Sequence, residues 1–194
     1  MIESIQAAKA VSDQRKKIHP HKFTLWVAIG SIIMMFAGLT SAYIVKHDQP
    51  GWTSFDMPRV FWASTFVILA SSVFMQWAIR SFKEREMRQY RLLIVVTASL
   101  GVLFIILQYL GFKHIWDSGI TLKGSGAGQF LYVIAGLHAA HVLGGIIALL
   151  LMIWKAFSSK IRTYNSVPVE LAGTYWHFVD LLWIYLFIFF LWIQ

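Results

Sequence analysis

Five apolar stretches decide what this chain can fold into. They run about Phe23–Val45, Val60–Ile79, Leu92–Phe112, Gln129–Trp154 and Leu171–Ile193, each close to the ~20 residues that cross a bilayer as a helix. A backbone segment in lipid has no water to bond, so it must be helical or belong to a closed barrel. The strict alternation that a barrel strand needs is missing from all five. The sequence therefore predicts an all-α fold, an integral membrane bundle of five transmembrane helices over residues 23–194, preceded by a polar basic tail over residues 1–22. Composition agrees, since 58% of the residues are hydrophobic and 13% charged, where a soluble domain carries about 25% charged residues.

The formal charge of +8 raises the question of an anionic partner, and the placement of the charges answers it. Thirteen lysines and arginines fall in the tail and in the second and fourth loops (among them Lys22, Arg80, Lys83, Arg91 and Lys155). Four fall on the other side: Lys46, Arg59, Lys113 and Lys123. An excess of this kind in short loops marks the cytoplasmic face. The expectation is a cytoplasmic N-terminus and an external C-terminus, with no nucleic-acid partner. The first 22 residues contain no apolar run, so they read as a retained tail, not as a secretory signal. Trp52, Trp62, Trp77, Tyr109, Trp116, Trp154, Tyr164 and Trp192 fall at the expected interfaces, where such rings anchor a helix.

Ionisable groups at bilayer depth are costly, roughly 2.5–3.5 kcal/mol each on insertion scales, and here they cluster. His138 and His141 lie in the fourth helix, His177 and Asp180 in the fifth, and Glu170 at the start of the fifth. In the first three helices the most polar central group is Gln108. At 100° per residue the two histidines of the fourth helix are about 60° apart, and Glu170, His177 and Asp180 form one stripe on the fifth. Facing each other, the two sets could make a buried carboxylate–histidine network. That pattern admits three readings: a metal or haem site, a proton or transport pathway, or structural glue between helices four and five. Cysteine is absent, which removes thiolate metal sites, iron–sulfur clusters and covalent haem attachment. Gly136, Ala140 and Gly144 follow small-xxx-small spacing in the fourth helix. They allow close helix packing, either inside the bundle or against another membrane subunit.

The segment Tyr175–Phe187, YWHFVDLLWIYLF, with Glu170 seven residues before His177, resembles the signature of cytochrome c oxidase subunit III. GLHAAHVLGG around His138 and His141 is similar to that family's G-x-H-x-x-H-V-x-x-G pattern, and SIIMMFAG in the first helix resembles a third family segment. The resemblance implies a short five-helix bacterial form of the subunit, multi-pass in the inner (plasma) membrane. It implies a non-catalytic role beside subunits I and II of a proton-pumping haem–copper oxidase, stabilising the catalytic subunit and supporting proton uptake. Haem and copper would then sit in the partner subunits, and this chain would bind no metal and no cofactor of its own beyond phospholipid. His138, His141, Glu170, His177 and Asp180 would serve a structural or lipid-binding role. The electron donor, cytochrome c or quinol, and membership of a respiratory supercomplex stay open. One departure stands out: Ile32 occupies the place where the family usually has a membrane-buried glutamate, so a proton-antenna role for that carboxylate does not carry over. The rival reading is an independent membrane transporter or enzyme that uses the His/Glu/Asp cluster.

Overall fold

The computed structural model describes residues 20–47, 57–121, 126–158 and 166–193. Five helices account for nearly all of them: α1 Pro20–His47, α2 Val60–Lys83, α3 Met87–Asp117, α4 Gly126–Phe157 and α5 Val167–Trp192. All five are long and apolar enough to cross a membrane. Four of them contain one of the apolar stretches whole and α5 contains the fifth except Ile193, which caps it; most outrun the stretches, because the polar flanks continue the helix beyond the hydrocarbon. α3 has 31 residues and α4 has 32, about 46–48 Å at 1.5 Å per residue, against a hydrocarbon core of about 30 Å. Pro20–Lys22 of the expected tail belong to α1. Residues 1–19, Trp52, Lys123 and Tyr164 lie outside the described residues.

The second loop shrinks to a turn of three residues. Arg80 and Lys83 end α2, Arg88 and Arg91 begin α3, and Arg85 between them takes a left-handed φ of 63°. The Arg85 N–H bonds the Phe82 carbonyl at 3.2 Å and the Glu86 N–H bonds the Ser81 carbonyl at 2.9 Å. Together they close α2 with the paired bonds of a Schellman cap. Glycine normally takes such a position, and a non-glycine residue there is uncommon.

Packing is ordered as a ring. α2 packs against α3 and α5, α3 also against α4, and α4 also against α5. α1 stands outside the ring, in the groove of α4 and α5, and among the described residues its backbone does not come close to α2 or α3. Its buried positions Ile29, Phe36 and Tyr43 recur every seven residues, with Thr40 beside them, the spacing of a single seam along a helix. Most of the rest of α1 is exposed, as are Trp62, Trp77, Tyr109, Trp116, Trp154 and Trp192. An outer surface of large apolar side chains suits lipid or another membrane subunit better than water.

The ring closes on Trp176 of α5, which is 1% exposed. A Cβ on Gly101 of α3 would come within 2.7 Å of its indole, and one on Gly145 of α4 within 3.0 Å. Two glycines thus let a large ring sit at the meeting point of three helices. Gly111 of α3 against Phe61, and Gly173 of α5 against Ile79, repeat the arrangement. Small residues at membrane helix crossings work in this way, since lipid supplies no hydrophobic drive between helices and close packing must.

Candidate intramembrane polar site

The polar stripe of α5 meets α2. His177 shares a hydrogen bond between Nδ1 and the Ser72 hydroxyl at 2.5 Å, and Ser72 also lies beside the Asp180 carboxyl. Trp176 donates from Nε1 to Ser71 Oγ at 3.1 Å, and Ser71 passes a bond on to the Thr97 carbonyl of α3 at 3.3 Å. Trp183 donates from Nε1 to Thr65 Oγ1 at 3.0 Å. A column of α2 hydroxyls therefore receives the polar groups of α5. Thr40 of α1 and Tyr185 of α5 add a hydroxyl pair at 2.8 Å. In hydrocarbon such bonds hold register, because a released partner finds no water to replace it.

Glu170 marks one end of the bundle. Lys22 of α1 reaches its Oε2 at 2.8 Å and Lys83 of α2 reaches its Oε1 at 3.1 Å. One carboxylate at the start of α5 joins three helices. All three side chains are partly exposed, so the contribution to stability is modest, about 1 kcal/mol or less per pair. The value of the contact is in alignment.

The two histidines of α4 go elsewhere. His141 donates from Nδ1 to the Leu137 carbonyl one turn back at 2.7 Å, and its ring stands edge-on to Phe36 of α1. Its own carbonyl accepts from Tyr175 of α5 at 3.1 Å. His138 is 2% exposed and sits between Phe104 of α3 and Trp183 of α5, with no partner among the described residues for either ring nitrogen. Among the described residues neither histidine hydrogen-bonds to Glu170, His177 or Asp180. The five groups divide into an α5–α2 cluster, an ion-paired end and two separately placed α4 histidines. Among the described residues no three His, Asp or Glu side chains gather as a metal ion requires.

Gly136, Ala140 and Gly144 lie on the exposed side of α4. Among the described residues a Cβ on Gly136 meets nothing within 4 Å, and one on Gly144 meets only the Tyr175 hydroxyl, at 3.5 Å. Packing inside the chain instead uses Gly101, Gly111, Gly145 and Gly173. Ile32 is half-buried against the core. The hydroxyls of α2 were not among the expected site residues, although a signal for them exists: Ser64-Thr65 and Ser71-Ser72 are polar pairs seven residues apart in an apolar helix.

A family model described as cytochrome c oxidase subunit III matches residues 21–194. A probable cytochrome c oxidase subunit 3 of Mycobacterium leprae is 31% identical over 165 residues, covering 83% of this chain and 82% of that protein. The cytochrome c oxidase subunit 3 of Bacillus sp. PS3 is 29% identical over 84% of this chain and 80% of its own length. That of Bacillus subtilis is 28% identical over 84% and 81%.

Proposed function

Because this chain belongs to the cytochrome c oxidase subunit III family, we propose that it is the non-catalytic subunit of a haem–copper terminal oxidase, holding the catalytic subunit in its active form and supporting proton uptake. The observation that carries the reading is the extent of the match, which runs from the start of α1 to the end of the chain and so covers all five spans. The chain supplies a rigid, hydrogen-bonded wall; haem, copper, electron entry and oxygen chemistry belong to partner subunits I and II. Gly136, Ala140 and Gly144 give α4 a smooth outer strip on which a partner helix can lie close. Phospholipid covers the remaining apolar surface. The His177–Ser72–Asp180 cluster is the group of this chain best suited to exchange protons at bilayer depth, since Ile32 cannot.

The bacterial sources of the similar proteins support a place in a bacterial inner membrane. The Lys22–Glu170–Lys83 end, with Arg80, Arg85 and Arg88 near it in the chain, fits the cytoplasmic side. Thiol labelling at single introduced cysteines reads this orientation directly, because the chain has none of its own. Glu84→Cys should react only from the cytoplasmic side and Ser118→Cys only from outside; the reverse pattern refutes the orientation.

Removing the chain is expected to leave an oxidase that begins near full rate and then loses activity within far fewer turnovers. Oxygen consumption followed to completion, with and without the chain, measures this. An oxidase whose working lifetime is unchanged would count against the stabilising role.

A further inference from the structure

Between α3 and α4 lies a cavity of about 330 Å³, within the range of small-molecule sites. Its walls are largely apolar and aromatic, with Phe104, Phe112, Tyr132 and Trp183 among them. His138 and Gln108 bring polar atoms to it. Among the described residues His138 has no protein partner at Nδ1 or Nε2, and Gln108 has none at Oε1. The amide of Gln108 is fixed in direction: its Nε2 donates to Ser64 Oγ at 3.0 Å, while Ser64 spends its own hydrogen on the Phe61 carbonyl at 2.9 Å. Ser64 can therefore only accept from Gln108, which commits Oε1 to finding a donor elsewhere.

These atoms define what fits. Gln108 Oε1 requires a hydrogen-bond donor, and His138 offers at least one N–H in every protonation state. A hydroxyl group answers both, since it donates once and accepts. Water alone suits the polar atoms but not the rest, because apolar cavity walls stay dry. A charged guest would have to enter from lipid at a high desolvation cost. The aromatic walls favour a flat ring edge-on or offset against them. We propose that the α3–α4 cavity binds an uncharged, lipid-soluble aromatic alcohol, a phenol or hydroquinone with an apolar tail, whose hydroxyl bonds Gln108 Oε1 and His138. The proposal stands apart from the oxidase reading and requires only that the bundle is embedded in lipid.

The test uses membranes containing the full chain with its natural partners. The probe is a 4-alkylphenol with a photoreactive diazirine in its tail, compared with its methyl ether, which has lost the donor. Labelled peptides are mapped by mass spectrometry. The phenol is expected to label Phe104–Phe112 and Tyr132–Val142, with competition by unlabelled phenol, and the ether to label them about tenfold less, the scale of one lost buried hydrogen bond. Gln108→Leu should reduce phenol labelling by a similar factor. Ala139→Leu adds bulk at an exposed position of the cavity wall, so it should block labelling while the bundle stays folded. Equal labelling by phenol and ether, labelling that survives Ala139→Leu, or labelling absent because a partner subunit fills the cavity would each overturn the proposal.

Discussion

Replacing Gly101 with leucine should unfold or misassemble the bundle, one of the two largest effects expected of any single substitution here. The Cβ alone would stand 2.7 Å and 3.0 Å from two carbons of the Trp176 indole, inside van der Waals contact, and the leucine adds three carbons beyond it. The indole cannot step aside, because Gly145 lies close against its Cε3–Cζ3 edge and Nε1 is bonded to Ser71. Overpacking of a core costs about 1–3 kcal/mol where neighbours can shift, and here they are held on three sides, so the loss should reach or exceed the top of that range. Trp176→Ala removes the same ring and should cost about 3–5 kcal/mol by leaving a cavity. The double variant is the sharper measurement. Leucine can then occupy part of the space the ring vacates, so the two losses should be clearly less than additive. Equilibrium unfolding in mixed micelles reads all three. A Gly101→Leu chain as stable as the parent, or strictly additive losses, would show that the three-helix junction does not hold the ring this tightly.

The second large effect runs in the opposite direction. Asp180→Leu should make the isolated chain more stable by about 1–3 kcal/mol, the cost of leaving a buried polar group unsatisfied. Asp180 is 3% exposed near the middle of α5, and neither carboxyl oxygen has a geometrically good protein partner among the described residues. Ser72 lies beside it, but its hydroxyl is directed at His177 Nδ1 and makes no bond of good geometry to the carboxyl. Leucine has nearly the same shape and none of the desolvation cost. If the group is retained for work done in the assembled oxidase, the same substitution should lower that complex's sustained oxygen consumption. Gain in stability with loss of activity is the pattern of a site kept at the expense of the fold. Asp180→Asn, which keeps shape and polarity, should move both readouts less. A leucine variant that is less stable than the parent would mean that the carboxyl is a structural strut.

How much of this could be read in the residues differs from level to level. The five spans were legible because apolar length is a one-dimensional signal, and lipid permits almost no other answer. Helix ends were less so. The turn at Glu84–Glu86 has no glycine or proline to announce it, and the cap rests on Arg85 in an unfavourable conformation. The stripe Glu170, His177 and Asp180 follows from helical periodicity alone. Its partners do not, since periodicity says which residues share a face and nothing about which helix lies opposite. The expectation paired α5 carboxylates with α4 histidines, whereas the hydrogen bonds go to α2 hydroxyls and the ion pairs to Lys22 and Lys83. Small-residue spacing has the same blind spot. It marks Gly136, Ala140 and Gly144 as packable but cannot tell that they face outward, while Gly145, one position on, faces the indole of Trp176.

We propose that this chain works as a cofactor-free wall of an oxidase whose chemistry lies in other subunits. Affinity purification of the tagged chain in mild detergent, followed by optical spectra and identification of the co-purifying proteins, tests it most directly. The account predicts that a large haem-bearing membrane subunit and oxygen-reducing activity come down with the tag, and that the haem spectrum leaves with that subunit when the complex is taken apart. A chain that purifies alone, or that keeps a haem or a transport activity of its own after separation, would contradict the account and make the α4 and α5 polar residues an active site in their own right.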